Sequence, residues 1–253
     1  MSPTMIGKFL ASGQLGKLAS FVSPAFFDVM PGRALWSKGK QLLGQSRDRE
    51  AFRLAVAARS EALARSMPAI ALGDVSGGEA RDVNWQASQV LELFFRQLFD
   101  DAPTLLDLRR SAFGPTREPL HWRPAAWVEG WSPEFRGPLR DLYRGFYQPD
   151  DALFQRALAT LHLEHSADLF RQHFGGDQVE VRFQVKHFVD TFHAVFTRCK
   201  AHGTTLHPDF LPLGIYLAAL YDHLEELAVP VNVKQAFERA THNPGELEES
   251  AHA

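Results

Sequence analysis

Residues 84–99 read NWQASQVLELFFRQLF. Wound at about 100° per residue, Val90, Leu91, Leu93, Phe94, Phe95, Leu98 and Phe99 fall on nearly every side. A helix that is apolar all round is buried on most of its surface and forms the centre of a core. The chain therefore reads as a mainly α protein, a helical bundle built around this segment. Upstream, Arg47 to Met67 carries Phe52, Val56 and Leu63 among alanines. Its Arg49, Arg53, Arg59 and Arg65 alternate with Asp48, Glu50 and Glu61, the pattern of a solvated helix face.

Downstream the helical pattern breaks. From Pro103 to Pro138 there are six prolines together with Trp122, Trp127 and Trp131. Proline density on that scale forbids long regular elements. The expectation is an ordered Pro/Trp-rich segment in the middle of the chain, pinned by its tryptophans, with a short strand over 105–113. Helices are expected again at about 138–147, 150–173, 179–201 and from Pro208 to about 229, with a short one at 233–240. Gly175-Gly176-Asp177, Gly203 and Pro230 provide the stops. The organisation expected is 1–102, an N-terminal helical part; 103–138, the connecting segment; 139–240, a C-terminal helical part; and 241–253, a polar disordered tail.

Composition narrows the function classes. The net charge of −3 gives no global case for nucleic acid, which needs a basic stripe or face. The single cysteine, Cys199, excludes an internal disulfide and a multi-cysteine zinc site, and its place on an apolar helix side reads as a small buried hydrophobe. No apolar run reaches the ~18–20 residues that span a bilayer. The segment 5–22 is a glycine-weakened helix whose only charges are Lys8 and Lys17, which leaves peripheral membrane contact open. Lys17 and three glycines interrupt it as a signal peptide, so a cytoplasmic protein is expected. The loop at 73–78 lacks the lysine and hydroxyl of a phosphate loop.

Eight of the eleven histidines lie between His162 and His223. Metal or haem ligands in a bundle must point inward with the core. On the 179–201 helix the stripe centres on Val185, Phe192 and Cys199. His187 and His193 each lie well over ~90° from that centre, on opposite flanks. His202 suits the negative end of its helix, and His223, among Asp222, Glu225 and Glu226, is expected in solvent. If 150–173 is one continuous helix, His165 and Asp168 share the face of Leu153, Ala157, Leu158 and Leu161. With His162 they would then be metal ligands or an acid–base pair. The competing and preferred reading has Ser166 break the helix and turn both residues outward.

The residues Leu139-Arg140-Asp141-Leu142-Tyr143, Asp150-Asp151 and Lys200-Ala201-His202-Gly203-Thr204-Thr205-Leu206-His207-Pro208-Asp209-Phe210 carry a partial resemblance. The stretch 139–227 resembles the helical C-terminal region of the ABC1/UbiB (AarF) kinase-like family. That family's nucleotide loop, strand lysine, catalytic-loop Asp and Asn and Asp-Phe-Gly motif have no counterpart here, so no kinase residue carries over. The resemblance implies a helical module without a catalytic core and a link to isoprenoid quinones.

Two functions follow as expectations. The first is a non-catalytic intracellular accessory or binding protein, with an apolar groove lined by Phe and Leu for a lipid, a quinone-like ligand or a partner helix, a reading motivated by the twenty phenylalanines of the chain. The second is a helical metal- or haem-dependent enzyme using His165 and Asp168 with His162.

Overall fold

The computed structural model describes residues 24–73, 77–125 and 127–242. The expectations placed on 5–22, on 74–76 of the glycine-rich loop and on 243–253 of the tail lie outside the described residues. The chain is mainly α-helical. Its helices are α1 (Pro24–Val29), α2 (Gly32–Arg47), α3 (Arg49–Ser66), α4 (Val83–Phe99), α5 (Pro133–Tyr147), α6 (Asp151–Thr160), α7 (Ala167–His173), α8 (Val185–Ala201), α9 (Phe210–Leu227) and α10 (Val233–Thr241). Side chains set several starts. Asp48, Asp82, Asp150 and Asn232 each accept the backbone N–H three residues on, at 2.8–2.9 Å, and so satisfy one of the N–H groups a helix leaves unpaired.

Two contact units interleave along the sequence. One holds the described residues up to Leu43 with Trp131–Gly176 and Gln184–Tyr221. The other holds Gly44–Gly130, Asp177–Phe183 and the described residues from Asp222 onward.

In the first unit α5 and α6 pack at the closest distance glycine allows. A Cβ on Gly145 would stand 2.5 Å from the Phe154 backbone nitrogen and 2.7 Å from its Cα. These are backbone atoms, which cannot rotate aside. Gly145→Ala is therefore expected to force the helices apart and cost about 3 kcal/mol. A denaturant titration checks this, and a loss under about 1 kcal/mol would show that the two helices are not locked together. In the same unit α8 carries Phe196 against Phe26 of α1, ring centroids 5.2 Å apart, and Leu206 donates to the Val29 carbonyl at 2.9 Å.

The second unit is organised on α4, whose Val90, Leu91, Leu93, Phe94, Phe95 and Leu98 are all buried. Phe237 of α10 meets Phe95 and Phe99 edge-on at 5.4 and 5.5 Å. Glu92, buried in the middle of α4, is neutralised by Arg96 at 3.1 Å and Arg239 at 2.8 Å. The proline-rich segment is ordered without long elements. Its short strands include Thr104–Leu105, paired antiparallel with Val128–Glu129, and Leu120–Trp122, paired in parallel with Ile70–Leu72. Fully buried Trp122 donates its indole N–H to the Asp107 carbonyl at 2.8 Å.

Several expectations need correction. The 105–113 strand shrinks to Thr104–Leu105, and residues 110–112 form a 3-10 turn. The helix expected from 138 begins at Pro133, because proline at a first helical position lacks only an N–H that has no partner there anyway. The helix expected from 179 begins at Val185; Val181–Arg182 instead pairs with Pro230–Val231 as strand. Arg59 is not on a solvated face. It is fully buried, pairs with Asp100 and donates to the Ala102 and Pro103 carbonyls at 2.9–3.2 Å. A guanidinium can be buried when most of its donors find acceptors.

Candidate functional site

The histidines separate into three environments. His187 is partly exposed, and His162 and His193 are exposed. His162 adopts a left-handed φ of 59° in the break after α6. The helix is interrupted, but earlier than expected and without a side-chain cap from Ser166: α6 ends at Thr160, Glu164–Ser166 forms a 3-10 turn, and α7 starts at Ala167. The continuous helix that would align His165 and Asp168 does not form. Asp168 is exposed and chelated by Arg198, one of its bonds measuring 2.9 Å, which holds its carboxyl below the usual range. Among the described residues no group of three or more His, Cys, Asp or Glu side chains is arranged to hold a metal ion. His162, His165 and Asp168 are thus not brought together as one ligand set.

His165 meets His202 instead. Their rings stack with centroids 4.4 Å apart and planes 27° from parallel. Burial, then His202, lowers the His165 pKa, with Arg198 adding to the effect and Glu164 opposing it.

The third environment is buried. His223, expected in solvent, has no exposed surface. Its Nδ1 donates to the Leu108 carbonyl at 2.9 Å. Its Nε2 accepts from the Gln86 amide at 3.2 Å, and Gln86 in turn accepts from Thr116. A carbonyl can only accept, so Nδ1 carries the proton, and because Nε2 accepts the Gln86 N–H the ring is the neutral Nδ1–H tautomer. Burial pushes its pKa down to about 3. The overlooked signal is FLPLGIYLAALY, residues 210–221, which carries no charge. A helix apolar on every side is enveloped on every side, and this one carries His223 into the interior at its end.

His173 ends α7 in the first unit and shares a 3.1 Å hydrogen bond through Nδ1 with the Tyr221 hydroxyl. The two rings lie nearly parallel, 5.6 Å apart. Burial lowers the His173 pKa to about 3 and raises that of Tyr221, so both are neutral at pH 7. This pair adjoins an aromatic cluster. Phe174 lies 4.8 Å from Tyr143, and Phe192 lies 5.0 Å from His173 and 4.9 Å from Phe188, centroid to centroid. Within the cluster is a cavity of about 10 Å³, lined by leucines, Phe170, Phe174, Phe192 and Phe210, with His173 and Tyr143 contributing its polar side chains. That volume suits at most one water.

A buried ion pair lies elsewhere in the same unit. Lys38 Nζ stands 2.6 Å from Asp209 Oδ1, both side chains being nine-tenths buried or more. Asp209 also accepts the Ser132 N–H at 3.1 Å, and its own N–H donates to His207 Nδ1 at 3.2 Å. Burial alone would raise the Asp209 pKa, but Lys38 and Ser132 outweigh it and hold the group below its ordinary value. Cys199 is buried, and burial pushes its thiol up to about 11, as suits a packed hydrophobe. No helix among the described residues is long and apolar enough to cross a membrane. Comparison with known protein families and with curated proteins finds no match for this chain.

Proposed function

We propose that this chain is a non-catalytic intracellular binding protein for an apolar, ring-bearing molecule of quinone-like size, taken up in the aromatic cluster of the first unit. The observation that carries the reading is the lining of the cavity: leucine and phenylalanine on most sides, with His173 and Tyr143 as its polar members. Apolar walls with few polar groups are the usual composition of a small-molecule site. Burial keeps His173 and Tyr143 both neutral, so the lining offers polar atoms without charge. Elsewhere, the buried groups Arg59, Lys38, Asp107, Asp209 and His223 are already committed to structural partners. The resemblance of 139–227 to a family linked to isoprenoid quinones favours the same ligand class.

A cavity of about 10 Å³ does not hold a ring, so uptake requires Phe174 and Phe192 to repack. Association is accordingly expected to be slower than an open cleft would allow. The test is calorimetric titration with a 1,4-naphthoquinone. Wild type is expected to saturate at one equivalent. Leu213→Phe and Leu217→Phe, which fill the space, are expected to weaken binding about tenfold or more while circular dichroism is unchanged. Absence of saturation, or wild-type affinity in both filled variants, would remove the proposal.

A further inference from the structure

We propose that His165 and His202 form a two-imidazole site for a divalent first-row transition-metal ion. Two observations point to it independently of the apolar-ligand reading. The first is the stacking of two imidazoles from different elements, the 3-10 turn at Glu164–Ser166 and the C-cap of α8, with centroids 4.4 Å apart. The second is that His165 Nε2 is buried without a hydrogen-bond partner among the described residues. A buried ring nitrogen left without a partner costs the desolvation of that group, and a bound ion is one way the cost is offset. The hydroxyl of Ser166, in the same turn, is also buried without a partner, and the water shell of an ion can serve it.

Imidazole is the side chain such ions favour among nitrogen donors. Stacked rings direct their in-plane lone pairs side by side, so chelation needs one ring to turn. His202 is exposed at the end of its helix and has room to do so. His165 is anchored on the other side, its carbonyl accepting from Arg198 at 3.2 Å. Asp168 takes no part, since Arg198 occupies its carboxylate. Glu164 is an exposed anionic donor near enough to act on His165 electrostatically, and water completes the shell. The site differs from the His162, His165 and Asp168 set expected from sequence in replacing both partners of His165.

The full chain is titrated with Zn²⁺ by calorimetry and with Cu²⁺ by electron paramagnetic resonance. One strong equivalent is expected, with a nitrogen hyperfine pattern in the copper spectrum. His202→Ala, an exposed position, is expected to lower affinity at least about tenfold with the thermal midpoint unchanged. His165→Ala does the same, and His187→Ala and His193→Ala leave binding as in wild type. The proposal is overturned if no strong equivalent binds. It is equally overturned if His202→Ala binds as wild type does, or if His187→Ala or His193→Ala removes as much affinity as His202→Ala.

Discussion

Between pH 6.5 and 4.5 the protein is expected to lose stability steeply, through His173 and His223. Both rings are buried and uncharged, and burial holds each pKa near 3 against an ordinary 6.5. The unfolded chain takes up protons at these positions as pH falls through 6.5, while the native state does not until about 3. Stability is therefore fully present above 6.5 and drains away as pH falls toward 3. At 1.36 kcal/mol per unit, the interval from 6.5 to 4.5 amounts to about 2.5 kcal/mol for each ring. Two such losses are a large part of the 5–15 kcal/mol typical of a whole domain. Urea denaturation at a series of pH values checks the sign and the slope. His223→Gln keeps an N–H for the Leu108 carbonyl without titrating, and is expected to lower the proton uptake on unfolding by about one. Equal stability at pH 4.5 and 6.5 in wild type would refute the assignment of both rings.

The second large effect is expected at Lys38. Replacing it with methionine leaves the Asp209 carboxylate buried opposite an apolar chain, with the Ser132 N–H still donating to it but the lysine cation gone. Breaking one side of a buried pair in this way costs about 3–5 kcal/mol. The pair ties α2, the start of α5 and the start of α9 together within the first unit, so the loss spreads beyond one contact. Lys38→Met combined with Asp209→Leu is expected to cost less than Lys38→Met alone, because no charge is then stranded. A double-mutant cycle by thermal denaturation measures the coupling. Additive losses, or a Lys38→Met cost under about 1 kcal/mol, would mean that the carboxylate reaches water.

What the sequence disclosed and what it hid follow from locality. The central helix at 84–99, the buried Cys199 and the existence of an interruption within 150–173 are signalled by neighbours a few residues away. Gly203, which ends α8 at a left-handed φ of 66°, is another local signal. Residues 24–47 form two helices that periodicity did not mark, and residues 179–184 gave a helix-like pattern that pairing with 230–231 overrides. Arg59 looked solvated because its sequence neighbours are charged; its acceptors lie forty residues away in the Pro103 region. Lys38 with Asp209, His173 with Tyr221 and His165 with His202 are likewise pairings across long stretches of chain. No spacing rule in a single sequence encodes them. The histidine density between 162 and 223 pointed toward an inward His165 and Asp168, but the structure divides those histidines among surface, stack and core.

The aromatic cluster of the first unit is proposed to bind an apolar ring. Hydrogen exchange of the full chain, with and without a saturating 1,4-naphthoquinone, tests it most directly. Added protection is predicted in 139–147, 161–174, 188–196 and 210–217, the segments that line the cavity and its aromatic surround, and none in α3 or α10. An exchange pattern unchanged by the quinone, or protection centred on α4 and α10, would contradict the account.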